Sequence, residues 1–122
     1  MYKLRELLSE GAIGEPRMLQ ADFGFRTGID PEGRLFDPKL AGGALLDVGI
    51  YPISLAYNVF GFPVDVKGVA CIGETGVDEQ SAAVLSFAKG EIAVVSQAVR
   101  TNTEHAARIF GTHGFITINS PW

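Results

Sequence analysis

Asp47 and Tyr51 stand four residues apart in the stretch Gly42-Gly43-Ala44-Leu45-Leu46-Asp47-Val48-Gly49-Ile50-Tyr51. On a helix that spacing places a carboxylate and a phenol on one face, one turn apart. Ser54 and Asn58 continue the same face, so a narrow polar stripe runs down an otherwise apolar segment. A phenol with its ordinary pKa of about 10 needs a polarising neighbour to work as an acid-base near neutrality. A carboxylate one turn away would orient the hydroxyl or relay a proton, and a nearby cation would favour the phenolate. No lysine lies within helical reach of Tyr51, so the cation is expected from elsewhere. The alternative is purely structural: an Asp favoured by the helix N-terminus, with Tyr51 as amphipathic filler.

Other chemistries find little support. There is no Ser/His/Asp or Cys/His constellation for nucleophilic catalysis. His105 and His113 fall in a strand and a turn with no third ligand at metal spacing, so no metal is expected. The fifteen glycines include no G-x-G-x-x-G, so the chain carries no dinucleotide fingerprint of its own.

The elements that must position Asp47 and Tyr51 follow from periodicity. Leu4, Leu7 and Leu8 predict an N-terminal helix ended by Gly11 and Gly14. Leu19, Ala21, Phe23 and Phe25 alternate with Met18, Gln20, Asp22, Gly24 and Arg26, which predicts a strand with one buried face. Residues 27–41 hold two glycines, two prolines and five charges and read as a loop. A helix from Ala44 to Phe60 follows, with Gly61 as its cap and Pro63 beyond. Pro52 removes one backbone donor, predicting a kink near Val48 to Tyr51.

Strands are expected at Val64–Ile72, Ser81–Ala88, Glu91–Arg100, Ala106–Phe110 and Phe115–Ile118. Short turns at Lys89-Gly90 and Thr112-His113-Gly114 make those pairings antiparallel. Ile92-Ala93-Val94-Val95 is apolar on both alternating sets, predicting a central strand with both faces covered. The fold class is therefore α+β: an open, mostly antiparallel sheet with helices on one face. With two helices for about six strands, the other face is open or covered from outside, and its apolar content favours a partner subunit.

The chain has 122 residues, 47% hydrophobic and 20% charged, with a net charge of −4. That describes one ordinary domain spanning residues 1–122. No Lys/Arg cluster offers a footprint for nucleic acid. No apolar run reaches about 18 residues, so no membrane span is expected. The lone Cys71 excludes an internal disulfide, and a cytoplasmic location is the default expectation.

The segment Leu35 to Ile53 (LFDPKLAGGALLDVGIYPI) resembles the signature of the glucose-fructose oxidoreductase / inositol dehydrogenase (Gfo/Idh/MocA) family. The opening Leu4 to Arg17 with Gly11-Ala12-Ile13-Gly14-Glu15-Pro16, and the later Thr75-Gly76-Val77-Asp78 and Gly111-Thr112-His113-Gly114, are similar to the same family. The Tyr at the end of D-x-x-x-[YH] points to the dihydrodiol dehydrogenase and glucose-fructose oxidoreductase branch. The resemblance implies hydride transfer between NAD or NADP and a sugar, polyol or diol carbon. It makes Tyr51 the general acid/base and Asp47 its helper or a holder of substrate. Arg26 and Arg34 flank the loop before the motif, within reach of substrate hydroxyls unless they are simply solvated, and Phe36 either lines the pocket or packs; Arg34 and Phe36 are taken as candidate substrate contacts.

The family's Glu-Lys-Pro lysine and Rossmann glycine loop are absent. The resemblance therefore implies the C-terminal substrate and oligomerisation domain of such an enzyme, truncated, binding no cofactor alone and inactive without a nucleotide-binding domain. It also implies a homodimer or higher oligomer through the open sheet face. The alternative is a standalone, non-catalytic dimerisation or ligand-binding module.

Overall fold

The computed structural model describes residues 1–120 and 122. Helix α1 (Tyr2–Ser9) leads into strand β1 (Pro16–Gly24). A long loop follows, ending in a 3-10 turn at Pro38–Leu40. A single π-helical turn, Leu45–Gly49, then runs directly into α2 (Ile50–Phe60). Five strands complete the chain: β2 (Asp65–Ile72), β3 (Asp78–Ser86), β4 (Ile92–Ala98), β5 (Ala107–Gly111) and β6 (Phe115–Ile118). They form one sheet in the order β2-β3-β4-β1-β5-β6.

All neighbouring pairs are antiparallel except β1 with β4, which run parallel with Leu19 opposite Ala93 and Ala21 opposite Val95. A parallel pair needs a crossover, and α2 lies on it, packed over β1 and β4. That insertion makes β1 an interior strand. The sheet is mixed, with the antiparallel character that the hairpin turns predict.

Where the sequence predicts a kink, the structure has a π turn, Leu45–Gly49. Pro52 cannot donate to a carbonyl one turn back, and the backbone just before it widens into the π turn. Such single-turn bulges recur at functional sites. Strand β3 starts three residues earlier than its apolar pattern suggests, because Gln80 pairs with Ala98 in the ladder. The apolar pattern cannot see polar residues recruited by backbone bonding.

Period-two alternation divides every strand between two faces. One face carries Leu19, Ala21, Leu85, Ala93, Val95, Ala107 and Ile109, which join Leu4, Ile13, Leu55 and Phe87 in the main core under the helices. A second core of Phe36, Ala44, Val48, Val77 and Val99 lies beneath the π turn. The opposite face is open and exposes Met18, Val84, Ile92, Val94 and Phe115. Strand β4 is interior as expected, but both of its faces are not covered within this chain. Ile92 and Val94 point away from the helices.

The helical segments from Pro38 to Phe60, taken together, span 23 residues and are long and apolar enough by length and composition to cross a membrane. A core helix passes the same test, and 39% of the most apolar stretch is buried, with Leu55 and Ala56 in the main core. The sequence pattern begins the helix only at Ala44, and the structure adds the turns before it.

Candidate active site

The loop between β1 and the π turn folds back so that Arg34 meets Asp47. Its guanidinium Nη1 forms an ion pair with Asp47 Oδ1. The two ends differ: the Arg34 side chain is 71% exposed and that of Asp47 only 14%. Arg34 thus places a cation on the carboxylate of Asp47. Sequence spacing does not reveal the pair, because Arg34 and Asp47 are brought together by the loop and not by helical periodicity.

Tyr51 lies in the first turn of α2 and is 52% exposed. Its ring packs against Phe23 from the end of β1, with centroids 5.4 Å apart and tilted by 48°. Phe23 is in turn stacked on the imidazole of His105 at 3.9 Å with the rings 9° from parallel. The Trp122 ring stands 5.7 Å from His105. Backbone strain accompanies this stack, since His105 has φ of 53°, a left-handed conformation uncommon for any side chain but glycine. The Asp22 carboxylate holds that turn by accepting the backbone N–H of His105 at 2.7 Å and of Ala106 at 3.1 Å. His105 Nε2 is buried and finds no partner among the described residues.

Sequence reasoning assigned His105 to a strand with no site role. The structure puts it just before β5, in the aromatic row behind Tyr51. The alternation through Phe23 is the signal that places one end of that row, and nothing in the spacing places the other.

The remaining candidates separate. Phe36 is 1% exposed and belongs to the second core. As a substrate contact it is corrected: its ring is enclosed by Ala44, Val48, Val77 and Val99 and supports the π turn from below. Arg26 contributes its backbone N–H to Asn102 Oδ1 at 2.8 Å. The lower half of the polar stripe is structural. Asn58 donates to the Ser54 carbonyl at 2.8 Å and accepts from Arg5 Nη2 at 3.3 Å, tying α2 to α1. His113 is a turn residue whose N–H donates to the Ile13 carbonyl at 2.9 Å. Among the described residues there is no cluster of metal-ligating side chains.

One carboxylate acts far along the chain, at the end of the Thr75-Gly76-Val77-Asp78 segment. Asp78 Oδ2 accepts the Leu45 N–H at 2.8 Å, at the opening of the π turn. That helix N-terminus would otherwise favour an anion. Here the Asp78 carboxylate is that anion.

Comparison with known proteins bears on what this arrangement belongs to. Residues 1–117 match the family described as the GFO/IDH/MocA C-terminal domain. The chain belongs to the Gfo/Idh/MocA family. Among curated relatives, the trans-1,2-dihydrobenzene-1,2-diol dehydrogenase of Mus musculus is 36% identical over 124 residues, covering 100% of this chain and 37% of that protein. The Homo sapiens enzyme of the same name is 33% identical, covering 97% and 35%.

Of solved structures, the aldose-aldose oxidoreductase of Caulobacter crescentus, complexed with glycerol, superposes with a TM-score of 0.84 at 30% identity over 93% of this chain and 36% of that one. A 3-ketoreductase from Actinomadura kijaniata in complex with NADP and TDP-benzene gives 0.82 at 26% identity, covering 98% and 37%. The chain therefore spans little more than a third of the length of these relatives.

Proposed function

We propose that this chain is the substrate-binding part of an NAD(P)-dependent oxidoreductase acting on CH–OH groups of sugars, polyols or dihydrodiols, with Tyr51 as the acid-base group. The observation that carries it is the half-exposed Tyr51, backed by Phe23, four residues along the same helical segment from an Asp47 that Arg34 holds. Relatives acting on a dihydrodiol and on aldoses support the same substrate class.

Each residue then has a definable task. Tyr51 Oη exchanges a proton with the substrate hydroxyl oxygen. Asp47, held by Arg34, accepts a hydrogen bond from a neighbouring hydroxyl and fixes which oxygen reaches the phenol. Arg34 keeps unpaired N–H groups on its exposed side that would donate to further substrate oxygens. Phe23 offers an apolar surface to the C–H face of a ring and excludes water from one side of Tyr51. The nicotinamide, when bound by the assembled enzyme, supplies the hydride acceptor. The sequence carries no glycine-rich dinucleotide loop of its own.

The proposal extends to the whole protein. Residues 1–122 form one unit, the protein is cytoplasmic, and its open sheet face pairs with a second copy. It takes neither nucleic acid nor membrane as partner.

Titrating the isotopically labelled chain with glycerol, glucose or a dihydrodiol tests the site directly by NMR. Shift changes confined to Phe23, Arg34, Asp47 and Tyr51 are expected. Changes scattered over the surface, or none at saturating ligand, would overturn the assignment. In a parallel fluorescence titration NADPH is expected to show no binding to this chain, and micromolar affinity would contradict that expectation.

A further inference from the structure

Asp78 is the first residue of β3, yet its carboxylate serves a turn 33 residues earlier in the chain. Asp47 N–H donates to the Gly43 carbonyl at 3.1 Å, which makes Gly43 the first acceptor of the helical segment. A residue there ordinarily caps with its own side-chain oxygen, accepting from an N–H two or three positions on. Gly43 has no side chain to do so. A Cβ at Gly43, whose φ is 109°, would overlap Asp78 Oδ1. The missing cap is supplied by Asp78, in the space the glycine leaves.

The carboxylate is itself oriented. Ser81 Oγ donates to Asp78 Oδ2 at 3.2 Å and accepts from Gln97 Nε2 at 2.6 Å. Gln97 is 2% exposed. Its side chain also limits the far end of the π turn, where a Cβ on Gly49 would stand 3.0 to 3.2 Å from Gln97 Cδ, Cγ and Oε1. Donors thus run in one direction, from Gln97 through Ser81 to Asp78, and the Leu45 amide adds a second donor to the same oxygen. A π turn is a sparsely populated geometry that persists only where its surroundings over-determine it. Here it is capped at Leu45, seated on Gln97 at Gly49, and packed through Val48 into the second core between them.

We propose that Asp78 is a positioning residue for Asp47 and Tyr51. Acting from β3 with Ser81 and Gln97, it sets the rotation of the π turn that presents both side chains. The proposal rests on the reading of those two residues as the site. Asp78 has no part in the proton transfer itself.

Amide hydrogen exchange and Tyr51 ring shifts, both measured by NMR on the chain without ligand, test it. In Asp78→Ala, amides of residues 45–49 and 51 should exchange about tenfold faster or more while β1 and β5 keep their rates. The Tyr51 ring protons should also move, because their shifts report the packing against Phe23. Asp78→Asn keeps an acceptor for Leu45 and should restore rates to within about threefold of the parent. Unchanged rates and ring shifts in Asp78→Ala, or equal acceleration throughout the sheet, would overturn the proposal.

If Asp78→Ala does not fold, Ser81→Ala removes one donor to the same carboxylate. It should give a smaller acceleration confined to residues 45–51, and its absence counts against the idea equally. Because no ligand enters these measurements, a failed sugar titration alongside localised acceleration would sink the functional reading and leave the role of Asp78 standing.

Discussion

Tyr51 and Arg34 are exposed enough that their roles separate from the stability of the fold. Tyr51→Phe removes one hydroxyl from a half-exposed ring and should change unfolding free energy by no more than about 0.5 kcal/mol, as surface substitutions do. In the complete enzyme the same change should lower turnover by about 100-fold or more, the scale of a lost acid-base group. Steady-state kinetics beside urea denaturation would check both halves, and retained turnover would remove Tyr51 from the chemistry. Arg34→Ala breaks an ion pair with one solvent-exposed end and should cost at most about 1 kcal/mol. Its effect should appear as weaker sugar binding in the NMR titration. The placing of Asp47 and Tyr51 on one helical segment was legible in the sequence because helical spacing is local. The Arg34 pairing, the burial of Phe36 and the His105 stack were not, because each depends on where a loop returns.

At the scale of elements, the glycines around the π turn are the sensitive points. Gly43→Ala introduces a Cβ that collides with the Asp78 carboxylate at a positive φ. It should destabilise the chain by about 1–3 kcal/mol, the range for strained backbone and overpacking. Gly49→Ala meets Gln97 at 3.0 Å and should cost less, since a side chain can shift where a cap cannot. A thermal melt in which Gly43→Ala is neutral would contradict the capping geometry. Leu55 anchors α2 to the sheet from within the main core, and Leu55→Ala should cost about 2–5 kcal/mol. An irregularity before Pro52 was readable from the sequence, whereas the contacts of Asp78 and Gln97 against the π turn come from two other strands and were not.

For the whole molecule, the open sheet face is the feature that a single chain leaves unresolved. Val84, Ile92 and Val94 lie side by side on it, an apolar patch of the kind that marks protein contacts. If a second copy covers it, Val94→Lys should shift the chain toward monomer in sedimentation velocity, with an unfolding midpoint that no longer rises with concentration. A parent chain that sediments as a monomer at high concentration would count against pairing through this face.

Alternating apolar residues and short turns were enough, by themselves, to determine the α+β class and the strands, and the Gly-Gly-to-Tyr segment put Asp47 and Tyr51 on one helical segment, since each of these is a short-range pattern. Only the tertiary structure decided that β1 enters the middle of the sheet parallel to β4, that Arg34 reaches Asp47, and that Asp78 caps a turn 33 residues away. Those contacts join residues far apart in the chain, and no local periodicity encodes which distant partner a loop or strand end will meet.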